Sequence, residues 1–182
     1  MKLLIKGGLR LSACLVVAAS LALSTSASTL SVRSNTFRNN GLLPLTAVYN
    51  ANGCTGANQS PELHWSAGPH GTKSFALVMH DPDAKAPGGW YHWVLYDIAP
   101  RVHELAAGAN VSAAQSGLTS FREPKYGGPC PPPGSGMHHY IFTLYALNAI
   151  RFVGGHPDGP TLERSMRHHV IGAARITGLY RR

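Results

Sequence analysis

The chain has 182 residues, with 16 Lys+Arg against 8 Asp+Glu, 20 Gly, 13 Pro and 3 Cys. That length suits a single domain able to bury its own core, and 44% hydrophobic against 13% charged residues excludes intrinsic disorder. The formal charge of +8 would point to nucleic acid only if the cations clustered, so their placement decides the matter.

Lys2, Lys6 and Arg10 precede an apolar run, Leu11–Leu23, and small residues, Ser24–Ser28. This is the layout of a secretory signal peptide. Cleavage after Ala27 would leave residues 28–182, a domain of 155 residues at +5. Its cations are dispersed from Arg33 to Arg182, without a basic run or interleaved aromatics, so no nucleic-acid partner is expected. Leu11-Ser12-Ala13-Cys14 looks like a lipoprotein acylation box. Such a box should follow the apolar stretch, whereas Cys14 opens it, and lipidation is set aside. Past the leader no run approaches the ~20 apolar residues of a spanning helix. A periplasmic or secreted protein is expected, with no transmembrane helix in the mature chain.

Export leaves Cys54 and Cys130 where disulfides persist. They either pair, closing a loop of 76 residues, or remain as two buried thiols, and pairing is the preferred reading.

Leu42–Tyr49 and Ser74–His80 are expected as strands, the second nearly continuously apolar as in a buried sheet. Trp90–Ile98 alternates, placing Trp90, His92, Val94, Tyr96 and Ile98 on one face and Tyr91, Trp93, Leu95 and Asp97 on the other. His138–Leu147 is a further strand, with His138, Tyr140, Phe142, Leu144 and Ala146 sharing a face. Asp158-Gly159-Pro160 opens a helix through Leu162, Met166, His169/Val170 and Ala173, and Arg175–Tyr180 closes the chain as a strand. Strands outnumber helices, which predicts an antiparallel or mixed β-sandwich with a small helical appendage. Two long loops, Asn50–Lys73 and Arg101–Met137, are expected to carry function.

Among eight acids, Asp81-Pro82-Asp83 sets two carboxylates on a stiff turn directly after a buried strand. An ordinary Asp-capped turn would read the same way. His92 and His138 open two other strands, and Tyr140 shares the face of His138. If those strand starts meet at one rim, Asp81, His92, His138 and Tyr140 converge in a pocket. His64, His70, His103, His156 and His168 are read as structural. Tyr126–Gly136 combines Gly and Pro in a rigid loop whose amides near Gly134 and Gly136 could face an anion, or which is simply stiff. It is no P-loop, lacking the Gly-Lys-Ser/Thr ending and preceding a strand.

Five ordered motifs then carry a resemblance: Ser60-Pro61-Glu62-Leu63-His64-Trp65, Lys73–Val78, Asp81-Pro82-Asp83-Ala84, Trp90-Tyr91-His92-Trp93-Val94, and Gly128-Pro129-Cys130-Pro131-Pro132 with Gly136-Met137-His138-His139-Tyr140. In this order they resemble the phosphatidylethanolamine-binding protein family, most closely its bacterial, Raf kinase inhibitor-like branch, from about Asn35 to the C-terminus. The resemblance implies a mainly β fold, a sandwich of a larger and a smaller sheet with a short C-terminal helix. It also implies a small pocket for phosphate-type anions or phospholipid head groups.

The matching positions are Asp81 and Asp83, His92, Pro131 and Pro132, Gly136, His138 and Tyr140. Cys54 and Cys130 resemble the paired cysteines of exported bacterial members. The usual Asp-Pro-Asp-Ala-Pro is here Asp81-Pro82-Asp83-Ala84-Lys85-Ala86-Pro87, where Lys85 either attracts anions or is merely solvated.

The expected function is a binding module for a small phosphorylated or carboxylate ligand, with no cofactor and no metal. An unidentified protein partner on the long loops is left open. Histidines titrating near about 6.5 predict anion affinity rising below that pH. The alternative is a hydrolase, with His92 and His138 as metal ligands or as general acid and base beside Asp81. Against it, the chain has neither a tight His pair on a helix nor a Gly-x-Ser-x-Gly elbow.

Overall fold

The computed structural model describes residues 29–109, 114–151 and 155–182. The expected signal peptide and Cys14 lie outside them. In chain order the elements are β1 (Val32–Arg33), β2 (Gly41–Leu42), β3 (Leu63–Trp65), β4 (Ser74–Asp81), β5 (Trp90–Ile98), β6 (Glu104–Leu105), β7 (Gln115–Ser116), β8 (His138–Leu147), α1 (Gly159–Met166) and β9 (Val170–Tyr180). They form two sheets, a large one of order β2-β9-β8-β4-β5-β7 and a small one of order β1-β3-β6. Among the strands of the described residues only β2 and β9 pair in parallel, so the sandwich is mixed.

The apolar run of β4 is explained by burial on both faces. Phe75, Leu77 and Met79 point into the main core between the sheets, with Leu63 and Trp65 of β3 and with Tyr140, Phe142 and Leu144 of β8. Ala76 and Val78 face the other way, onto Leu162 and Met166 of α1. The helix starts where Asp158 accepts a hydrogen bond from the Thr161 amide at 2.9 Å, with Pro160 in its first turn.

Several expected boundaries move. Leu42–Tyr49 is not a strand. Pro44 offers no amide hydrogen, and Leu45–Ala47 winds into a 3-10 turn after it. The helix ends at Met166, and residues expected to continue it, Val170 and Ala173, belong to β9, where they pair with Leu147 and Tyr145 of β8. Ladder hydrogen bonding overrides an apolar spacing that suits either period. The long loops contain short strands, β3 in the first and β6 and β7 in the second, too brief for periodicity to reveal.

The strict alternation expected of β5 fails, and the failure matters for the site. Leu77 pairs with Leu95 and Met79 with Trp93, but His80 pairs with Tyr91, so His92 is an extra residue opposite that step. A second shift follows between Leu77/Leu95 and Phe75/Ile98, where Asp97 takes a left-handed φ of 54°. Each bulge reverses the phase of the strand. Trp93, Leu95 and Ile98 consequently share the main core, while Tyr91, Val94 and Tyr96 pack with the helix cluster.

Candidate functional site

Because β4 runs antiparallel to both β5 and β8, its last residue lies beside the first residues of its two neighbours. Asp81 pairs with Trp90, and His80 with Ile141, which brings Asp81, His92, His138 and Tyr140 to one rim. The bulge at His92 turns its ring toward this rim, where it meets Tyr140 edge-on at 5.1 Å and Phe121 at 5.6 Å between ring centroids.

A cavity of about 320 Å³ opens there. Six of the expected residues line it: Asp81, His92, Pro131, Pro132, His138 and Tyr140. Asp83 and Gly136 lie beside it without lining it. Asp83 Oδ2 accepts from both the amide and Nδ1 of His139, each at 2.8 Å, and so pins the turn after β4 to the start of β8. Burial alone would raise the Asp83 pKa, but these hydrogen bonds outweigh it and lower the pKa. Gly136, at φ 95°, is a left-handed hinge beside an open space. The lining also includes Asn52, Lys85, Trp90, Phe121 and Cys130. Phe121 sits inside an irregular loop, where no periodicity could have marked it.

Four polar residues form the floor, all nearly inaccessible: Asp81 (2% exposed), His92 (4%), His138 (4%) and Tyr140 (0%). Asp81 Oδ1 accepts from the Asp83 amide at 2.9 Å, and Oδ2 lies 2.7 Å from His138 Nδ1. His138 Nε2 lies 3.0 Å from Ser135 Oγ, whose own hydroxyl donates to the Pro132 carbonyl at 2.8 Å. The Pro-Pro loop is thereby tied to the pocket histidine through Ser135, a link the sequence did not signal.

His92 Nδ1 donates to the Gly127 carbonyl at 2.6 Å, and the Gly127 amide returns a bond to the His92 carbonyl at 2.9 Å. Burial lowers the His92 pKa to about 4, against the opposing pull of Gly127 and of the Asp81 charge. Tyr140 is pushed above its ordinary range, first by burial and then by Asp81, so it is a neutral phenol. Its hydroxyl and the indole Nε1 of Trp90 are both buried without a partner among the described residues.

A disulfide between Cys54 and Cys130 fixes the wall, joining loops 76 residues apart at a Cα separation of 5.9 Å. Gly128 packs so closely on this wall that an added Cβ would stand 2.2 Å from the Ala47 carbonyl oxygen. The C-terminus closes the same side: the Gly134 amide bonds to the Arg182 carbonyl at 3.1 Å, and Arg182 Nη1 to the Asn52 carbonyl at 3.1 Å.

Among the described residues no group of three or more His, Cys, Asp or Glu could hold a metal ion, and no helix is long and apolar enough to cross a membrane.

Comparison with known proteins agrees with this architecture. The family model described as phosphatidylethanolamine-binding protein matches residues 33–181. The chain is 39% identical over 160 residues to the UPF0098 protein of Aquifex aeolicus, covering 84% of this chain and 89% of that one. It is 34% identical over 172 residues to YbcL of Escherichia coli, covering 90% and 94%. The crystal structure of E. coli YbcL, titled a new member of the mammalian PEBP family, superposes with a TM-score of 0.80 over 85% of this chain and 99% of that one. A PEBP homolog from Chlamydia trachomatis gives 0.76 at 31% identity, over 85% and 98%. With five ordered motifs, the two-sheet sandwich and these relatives in agreement, the chain belongs to the phosphatidylethanolamine-binding protein family.

Proposed function

We propose that this protein is an exported binding module of the bacterial, Raf kinase inhibitor-like kind, whose rim cavity takes a phosphate-type anion or a phospholipid head group. The observation that carries this reading is the Tyr140 hydroxyl, buried on the cavity floor with no partner among the described residues. A buried hydroxyl left unpaired costs about 1–3 kcal/mol, and a ligand oxygen arriving through the cavity would remove that cost. Lys85 lines the same cavity and supplies a cation without a long approach. Asp81, already satisfied by Asp83 and His138, holds the His138 ring in place on the floor.

The family membership and the described residues fit a non-enzymatic module better than the hydrolase alternative. His138 is engaged at both ring nitrogens, and His92 is neutral with its Nδ1 committed to a backbone carbonyl. Calorimetric titration with inorganic phosphate and phosphorylethanolamine tests the reading. Tyr140→Phe is expected to weaken binding roughly five- to twentyfold while leaving folding stability unchanged or slightly improved. Unaltered binding in Tyr140→Phe, His138→Ala and Asp81→Ala together would remove this cavity from consideration.

A further inference from the structure

Arg182 is set against the disulfide of the cavity wall. Its Nη1 lies 3.1 Å from Cys54 Sγ and 3.6 Å from Cys130 Sγ, and donates to the Asn52 carbonyl at 3.1 Å. The backbone holds it there: β9 is paired with β8 up to Tyr180 opposite His138, and the Arg182 carbonyl accepts from the Gly134 amide at 3.1 Å. Gly53, at φ 78°, leaves the guanidinium its room, since an added Cβ would stand 3.2 Å from Nη1. Among the described residues no carboxylate pairs with Arg182.

A disulfide sulfur is a weak acceptor and gains little from a full cation. A thiolate gains much more, because the charge-assisted contact stabilises the ionised form. The guanidinium is therefore placed to favour the state in which the S–S bond has opened and left negative charge on Cys54.

Access separates the two cysteines. Cys54 is 6% exposed and is not part of the cavity lining, whereas Cys130 is partly exposed and lines the cavity. Lys85 lines it too and draws in an anionic thiol, while Asp81 in the same lining is engaged by Asp83 and His138. Exposure selects Cys130 as the sulfur attacked, and proximity to the cation selects Cys54 as the leaving group, so two independent observations give one assignment.

We infer that the Cys54–Cys130 bridge is a thiol-exchange site, at which a small thiol adds to Cys130 and Arg182 receives the departing Cys54 thiolate. An external thiolate attacks Cys130 Sγ, the S–S bond breaks, and its electron pair leaves on Cys54 Sγ. The product is a mixed disulfide on Cys130, in the wall of the cavity. A second thiol then attacks the sulfur of the adduct and releases Cys130, so two thiols are oxidised to a disulfide as the bridge is reduced to a dithiol. The inference is independent of the anion-site reading.

The oxidised, purified protein is treated with glutathione, quenched with iodoacetamide and mapped by peptide mass spectrometry, which reads each cysteine separately. Glutathione on Cys130 with alkylated Cys54 is the expected pattern. The reverse pattern, or a bridge that glutathione does not open, overturns the inference.

Arg182→Gln is expected to slow opening of the bridge roughly three- to tenfold, and Arg182→Lys, which keeps the charge, to recover most of the rate. A purely structural Arg182 predicts the opposite sign, because loss of its ties would loosen the wall and hasten reduction. An unchanged or faster rate in Arg182→Gln therefore overturns the assignment. Should that variant not fold, judged by its thermal midpoint, the pH dependence of Cys54 alkylation in the reduced, unsubstituted protein is the independent measure. Ionisation of Cys54 well below the ordinary thiol value of about 8.5 supports the assignment, and ionisation at or above it overturns it.

Discussion

At His92, two local facts, a bulge and a carbonyl, fix an ordinary imidazole: the bulge turns it to the rim and its Nδ1 donates to Gly127. The sign of the resulting pH dependence follows from the lowered pKa. In the unfolded chain the ring binds a proton below about pH 6.5, whereas in the folded protein it does so only near 4. Stability contributed by this group is complete above about 6.5 and is lost as pH falls from there toward 4, on the order of 3 kcal/mol in all. Denaturant unfolding between pH 4 and 7 should show this slope, and His92→Gln should flatten it. The expected rise of anion affinity below pH 6.5 consequently cannot come from His92. Asp81, His92, His138 and Tyr140 were legible as candidates because their motifs are dense in chemistry. The directions in which their atoms face were not, since proton placement depends on contacts with Gly127, Ser135 and Pro132 that only the folded loop creates.

The element that shows most plainly what periodicity can and cannot reveal is α1. Its start was readable from Asp158 and Pro160, and its end was not, because Val170 and Ala173 satisfy a helical spacing as well as a strand. What decides is the long β8 edge, along which β9 pairs from Val170 to Tyr180. The helix is held by its cap, by Leu162 and Met166 under the sheet, and by Glu163, which accepts hydroxyl bonds from Tyr91 and Tyr145 at 2.8 Å each. Asp158→Ala is expected to cost about 1 kcal/mol, read as a shift of the denaturation midpoint without a change in its slope. The pKa of Asp158 is held low by its hydrogen bonds to Thr161, so the cap is intact above the ordinary carboxylate range and is lost as pH falls through the lowered value. In β5 the hydrophobic alternation located the strand correctly, Trp90–Ile98, but misplaced Tyr91 at one end and Ile98 at the other by one face, because bulges carry no compositional mark.

Over the whole molecule the disulfide is the long-range constraint that joins the two loops of the wall. In the chain-entropy model, closing 76 residues stabilises the fold by about 4 kcal/mol. Replacing Cys54 and Cys130 together by Ser is expected to lower the thermal midpoint by roughly 10 °C. It should also weaken phosphate binding several-fold, because Cys130 and Asn52 line the cavity. A midpoint drop with unchanged affinity would show that the wall keeps its shape without the bridge.

Local sequence sufficed for the sandwich class, the strands β4, β5 and β8, the start of α1, the cysteines able to pair, and the residue types of the site. Each of these follows from local period, cap chemistry or an ordered motif. Folding alone brings Asp81, His92, His138 and Tyr140 onto one floor, sets Asp83 and Gly136 beside it, and ties His92 Nδ1 to the Gly127 carbonyl. Antiparallel register, two bulges and the fold-back of the Gly127–Pro132 loop set those relations. They are contacts between residues distant in sequence, which no local pattern encodes.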